Sequence, residues 1–156
     1  MQIETLKLSK MFTERISQLM KYCPNFIGIY PCDKLPVIRS NVSMIINTDI
    51  SSGPGEHWIA VYVGRNTLYF FDSIGRVIDE FSNPFRDHIK TFSDNFIVKD
   101  ESKLLQNPFS NTCGYWCIFY IFCKTCRVDR PFSYFYDDLE YNEIMLQHIF
   151  EYLEFI

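Results

Sequence analysis

Asn111-Thr112-Cys113-Gly114-Tyr115-Trp116-Cys117-Ile118-Phe119-Tyr120-Ile121-Phe122-Cys123-Lys124-Thr125-Cys126 is the stretch around which the rest of the chain has to be arranged. From Cys113 onward Lys124 is its only charge, and the run is long enough for about three and a half helical turns. A helix that is apolar all round is a buried one. Asn111 or Thr112 stands where a cap is expected, and the preceding residues 99–112 read as polar and irregular. Cys113 therefore marks the point where a loop enters a buried helix. A thiol there lies at the positive end of the helix dipole, where negative charge is favoured.

A nucleophilic sulfur needs donors where negative charge develops on the attacked carbonyl. The backbone N–H of Cys113 is one candidate, and Gly114 lets a substrate backbone come close. Gln106, seven residues earlier, offers a neutral side-chain amide as a second donor. The base and its orienter come from further upstream. Residues 57–63 and 68–72 read as two strands turning around Gly64-Arg65. A two-residue loop there places His57 directly opposite Asp72, close enough for an imidazole to bond a carboxylate. A different loop length shifts that pairing, and Asp49 and Glu56 are then the rival acids. A cysteine opening an apolar helix is commonly just a small packed hydrophobe, and an Asp before a Ser commonly opens a turn. The combination of nucleophile, base, orienter and amide donor carries the reading.

The remaining pattern fits an α+β chain. Residues 5–23 space Leu8, Phe12, Ile16, Leu19, Met20 and Cys23 as one helix face before Pro24. Residues 26–30, 42–46 and 95–98 read as strands and 84–92 as a helix. Tyr141, Ile144, Met145, His148, Ile149, Tyr152, Leu153 and Ile156 define the expected apolar face of a last helix, with His148 packed on it. His88 is expected to face solvent, and Cys117 to belong to the core. At 156 residues and 18.6 kDa, with 47% hydrophobic and 17% aromatic residues, one domain spanning 1–156 is expected. The net charge of −4 excludes a global positive field for nucleic acid or anionic membranes, while a local basic patch stays open. Without a basic, apolar leader or a run of about 18 apolar residues, the expectation is an intracellular protein with no membrane partner. Its six cysteines are then free thiols.

Asn47-Thr48-Asp49 through Gly55-Glu56-His57-Trp58, then Phe71-Asp72-Ser73-Ile74-Gly75, then Gln106 leading to Cys113-Gly114-Tyr115-Trp116-Cys117 resemble the adenain family. These are adenovirus-type maturation proteases, with relatives in large DNA viruses, virophages and virus-like transposons. The resemblance covers roughly residues 26–126. It implies a papain-like, SUMO-protease-like fold, with a central mixed sheet packed between helices and the nucleophile at the start of a buried helix. It further implies that Cys113 attacks a peptide carbonyl, His57 exchanges protons with the sulfur and the leaving amine, Asp72 holds the imidazole, and Gln106 lines the oxyanion hole. Trp58 is expected beside the site, with Gly114 as a second substrate contact and Asn47 supporting the loop that bears His57.

The implied substrates are viral structural precursors, cleaved after small residues such as Gly during virion maturation. The implied setting is the host nucleus or cytoplasm and the virion itself, with the enzyme a monomer. No metal or cofactor is expected. Activation by DNA or a disulfide-linked peptide is not indicated, since the chain is acidic and has no cysteine between residues 33 and 112. Asp72 stands where adenain carries Glu, and there the chain resembles the SUMO-type proteases instead. A protease of ubiquitin-like modifiers is accordingly the alternative. A zinc-binding interaction module using Cys113, Cys117, Cys123 and Cys126 is the distant one, because four ligands on one helical run do not converge.

Overall fold

Strands 42–47, 58–63 and 67–71 are apolar at successive positions, so the sheet they form needs cover on both faces. The structure, a computed structural model that describes residues 13–154, supplies it. Strands β1 (Phe26–Pro31), β2 (Val42–Asn47), β3 (Trp58–Val63), β4 (Thr67–Phe71) and β5 (Ile97–Asp100) lie side by side in that order. The β1–β2 and β4–β5 pairs are parallel and the two central pairs antiparallel, which makes the sheet mixed. Helices are α1 (Thr13–Met20), α2 (Phe85–Ser93), α3 (Cys113–Thr125) and α4 (Leu139–Glu154), with a short 3-10 turn at Ile78–Glu80.

Alternate residues of the central strands point to different cores. Ile45, Ala60 and Phe71 pack with α1, α3 and α4, around Ile16, Met20, Trp116, Tyr120, Leu146 and Phe150. Met44, Ile46, Ile59, Val61, Leu68 and Phe70 face the other way, against Phe81, Phe85 and Ile89 of the α2 layer. Helix α3 lies between sheet and outer helices, and Tyr120 stacks on Phe71 of β4 with ring centroids 4.4 Å apart. The buried helix and the sheet between helices are as the sequence indicates. Thr112 takes the N-cap position, but its side chain does not cap: Oγ1 donates to Glu143 on α4 instead.

Several boundaries differ from expectation. Of the first helix, residues 5–12 lie outside the described residues, and α1 ends at Met20, ahead of the expected Cys23. Strand β5 begins two residues later than expected because its extent is set by parallel pairing of Thr67 with Ile97 through Phe70 with Asp100. All four of its side chains are exposed, so its own composition carries no burial signal. The last helix is rotated about its axis relative to the expected face. Asn142, Leu146 and Phe150 are its buried line and Met145 and Ile149 pack beside them as expected, whereas Tyr141, Ile144, Tyr152 and Leu153 are exposed and Ile156 lies outside the described residues. His148 is likewise exposed and pairs with Glu151, which corrects its packed reading. Apolar side chains stand on both sides of α4, and only docking against α3 decides which are covered.

Candidate active site

The hairpin that carries His57 closes by a bond from Gly64 N–H to Thr67 O, so its two-residue loop is Arg65-Asn66. The register is therefore displaced by two from the expected Gly64-Arg65 loop: Ala60 faces Phe71 and Val63 faces Leu68. Extended past the strand ends, this sets Asp72 opposite Ile59, with His57 on the diagonal. A shift of two preserves facing, whereas a shift of one turns every side chain to the opposite face. His57 and Asp72 therefore still meet, and Nε2 of the imidazole lies 2.5 Å from Asp72 Oδ1.

Asp72 is fully buried and begins a tight turn. Its Oδ1 also accepts from Ile74 N–H at 3.3 Å, and its Oδ2 from the Arg76 backbone N–H at 3.1 Å and Arg76 Nε at 3.0 Å. The turn closes through Gly75 N–H to Asp72 O. Gly75 has a φ of +87°, and a Cβ there would lie 2.8 Å from the Leu104 nitrogen, so only glycine fits. Burial alone would push the Asp72 carboxyl up. The hydrogen bond and positive charge of His57, followed by Arg76, outweigh it and hold the carboxyl below its ordinary range.

His57 precedes β3, on a loop that Asn47 braces by accepting from both Asp49 N–H (2.9 Å) and Glu56 N–H (3.1 Å). This is the supporting place expected for Asn47. The rival acids are engaged elsewhere: Asp49 accepts from Gly55 N–H and Ile50 N–H, and Glu56 accepts from the Thr48 hydroxyl. An ionised carboxylate only accepts, so the Nε2 bonded to Asp72 carries a proton and Nδ1 is left for the sulfur. The ring also feels the Cys113 sulfur, which shares the cleft with it. Burial opposes charging of this imidazole, but the bond to Asp72, the Cys113 sulfur and the charge on both partners prevail, and His57 is raised to about 9.

Cys113 opens α3 and is 8% exposed, facing a cleft of about 600 Å³ that His57, Gln106, Trp58, Gly55 and Arg76 also line. Gln106 is buried; its Oε1 accepts from Ser73 Oγ at 2.6 Å, which ties it to the residue following Asp72. Its Nε2 donates to Ser110 O at 3.1 Å and Ser110 Oγ at 3.2 Å, so the amide braces the loop that leads to Cys113. Glu143 of α4 holds the same loop, accepting at one oxygen from Asn107 N–H, Ser110 Oγ and Thr112 Oγ1. Gly114 is buried in the first turn of α3. Cys117, one turn on, is fully buried as core.

Arg76, Ser73 and Glu143 escaped the sequence reading. For Arg76 a signal existed, since it stands four residues after Asp72. Glu143 had none, because its partners are 31 to 36 residues away.

The mixed sheet between helices, with a cysteine at the head of the buried one, is a SUMO-protease-like cysteine protease fold. Among solved structures, the chain is similar to the ASFV pS273R protease, with a TM-score of 0.56 at 16% identity over 91% of this chain and 66% of that one. ChlaDub1 from Chlamydia trachomatis aligns with a TM-score of 0.50 at 16% identity, over 72% of this chain and 58% of its own. The central domain of Lpg1148 from Legionella pneumophila gives 0.51 at 16% identity, over 94% and 93%. The chain thus spans less than two thirds of the protease and of ChlaDub1. No protein-family model matches the chain. No curated protein sequence matches it either. Among the described residues, no helix is long and apolar enough to cross a membrane.

Proposed function

We propose that the protein is a cysteine endopeptidase in which Cys113 is the nucleophile, His57 the general acid and base, Asp72 the group that orients the imidazole, and Gln106 an oxyanion donor. The observation that carries this reading is a His57 bonded to the buried Asp72 carboxylate and lining one cleft together with Cys113 and Gln106. In the proposed cycle the Cys113 sulfur adds to the substrate carbonyl carbon, and the carbonyl electron pair moves to oxygen. The backbone N–H of Cys113 and the Gln106 amide receive that oxygen. For Gln106 this means turning one N–H from Ser110 Oγ toward the cleft. The tetrahedral species collapses, and the departing amine takes its proton from His57. Water then adds to the thioester with His57 accepting its proton, and the sulfur leaves as thiolate. Thiolate addition of this kind needs no metal or cofactor.

For substrates we favour polypeptide precursors of a virus, cut after small residues such as Gly, with the enzyme monomeric and acting in the infected cell or virion. The likeness to the ASFV protease over 91% of the chain supports this choice. Removal of a ubiquitin-like modifier is the second reading, favoured by Asp72 in the acidic position, where the chain resembles the SUMO-type proteases. A panel of modifier-based vinyl probes beside Gly-containing precursor peptides separates the two.

The enzymatic reading is tested by intact-mass labelling with iodoacetamide and a Gly-Gly-vinyl probe. Fast, single labelling that disappears in Cys113→Ala, slows in His57→Ala and survives in Cys117→Ala supports the proposal. Slow labelling spread evenly over all cysteines sinks it.

A further inference from the structure

The Arg76–Asp72 contact differs from an ordinary surface pair in one respect: the Asp72 side chain is fully buried while that of Arg76 is 38% exposed. Arg76 gives Asp72 Oδ2 two donors, its side-chain Nε at 3.0 Å and its own backbone N–H at 3.1 Å. The guanidinium also lies over the Phe81 ring, 4.3 Å from its centre, which fixes the fork from the far side. Both oxygens of the carboxylate are thereby assigned: Oδ2 to Arg76, Oδ1 to His57.

Resting on the protease reading above, we propose that Arg76 is a positioning residue of the reaction: it locks the Asp72 carboxylate so that Oδ1 serves His57, and its charge limits the pull of that carboxylate on the imidazolium. A carboxylate with no competing cation would orient His57 less sharply and hold its proton more tightly. The second effect hinders catalysis, because His57 must release that proton to the leaving amine. Arg76 is among the causes that hold Asp72 below its usual range, which agrees with a real share in its charge.

The other groups around the imidazole are few. Cys113 and, one turn deeper, Cys117 face the pair from α3, and Cys117 feels the charge of Asp72. Asp49 and Glu56, from the loop before β3, line a second cavity of about 180 Å³ together with His57 and Arg76. Loss of Arg76 therefore leaves only negative or neutral neighbours among the groups named.

The test compares wild type, Arg76→Gln and Arg76→Lys by NMR titration of the His57 imidazole, assigned by its loss in His57→Gln, with exposed His88 and His148 as internal references. Arg76→Gln should raise the His57 midpoint by about half a pH unit and leave the references unmoved. With a fluorogenic Gly-Gly peptide, its kcat should fall about tenfold at unchanged KM, through lost orientation and a tighter proton. Arg76→Lys should return the midpoint to within about 0.2 units of wild type and recover part of kcat.

An unmoved His57 midpoint in Arg76→Gln overturns the inference. So does a raised KM at constant kcat, which would make Arg76 a substrate contact. A wild type that neither labels at Cys113 nor cleaves overturns the proposed function instead, and the His57 titration then still decides whether Arg76 acts on the imidazole.

Discussion

On one wall of the cleft the Asp72 carboxylate is held by its neighbours in sequence, with bonds from Ile74, Arg76 and the Gly75-closed turn. On the other, the loop that delivers Cys113 is held by Glu143, a side chain 31 to 36 residues away on α4. Closing a five-residue turn costs little chain entropy, so most bonds to the carboxylate are local, although the Asp72 backbone is also held by Ser102 and Lys103. The bonds of the nucleophile wall to Glu143 exist only with the last helix docked. Gln106 joins the two, with Ser73 on one side and Ser110 on the other. The base wall should accordingly tolerate loss of α4 contacts, and the nucleophile wall should not.

The largest expected effect breaks the base wall from within. Gly75→Ala must accommodate a Cβ 2.8 Å from the Leu104 nitrogen at a φ of +87°, at a cost of about 3 kcal/mol. Gly64→Ala, in the neighbouring hairpin, meets nothing nearer than 3.7 Å and should cost about 1 kcal/mol or less. Urea unfolding of the two variants side by side measures the difference. Equal stabilities would mean that the turn has room to relax and is not the rigid half of the cleft.

Next comes pH, which acts on the base wall through His57 and Asp72. His57 is raised from 6.5 to about 9, so its contribution to stability is fully present below 6.5 and is lost as pH rises through about 9. Asp72 is lowered from 3.8, so its contribution is present above 3.8 and is lost as pH falls through its folded value. Urea midpoints should thus decline on both sides of the neutral range. In His57→Gln the alkaline decline should flatten; an alkaline slope equal to wild type would assign it to another group.

Glu143→Ala then tests the nucleophile wall. It strands the Asn107 N–H and removes the acceptor shared by the Ser110 and Thr112 hydroxyls, which are left only each other to donate to, at a cost of about 2 kcal/mol. Hydrogen exchange should quicken across residues 107–112 and stay slow across 72–76. Faster exchange in both segments would show that the walls form one unit, not two.

The same division explains what the sequence made legible. Cys113, His57, Asp72 and Gln106 stand out as candidates because local pattern marks each of them, at a helix start, a strand start, a strand end and in a polar loop, and three of the four line one cleft. The hairpin register was misread by two, yet the His57–Asp72 contact survives because an even shift keeps both side chains on one face. Arg76 was within reach of a local reading, at four residues from Asp72. Glu143 was not, since its partners are brought near only by the docking of α4, and Asn142 adds to its local bonds with Tyr136 one to Leu105 O across 37 residues. The exposed Tyr141 and Ile144 misled for the same reason: hydrophobicity marks which residues can be buried, and the neighbouring helix selects among them.

The smallest effect compares two thiols on one helix. Cys117 lies one turn below Cys113 and is fully buried, and burial first, then the charges of Cys113 and Asp72, push its thiol well up. It stays protonated and packed, while Cys113 meets the cleft and His57. Cys117→Ala should therefore cost about 1 kcal/mol in urea, the loss of one buried sulfur, and leave the rate of Cys113 alkylation within about twofold of wild type. A large drop in that rate would mean that Cys117 supports the position of the nucleophile through the helix. The rigidity of the nucleophile wall would then come from α3 itself and owe less to Glu143 than its three hydrogen bonds imply.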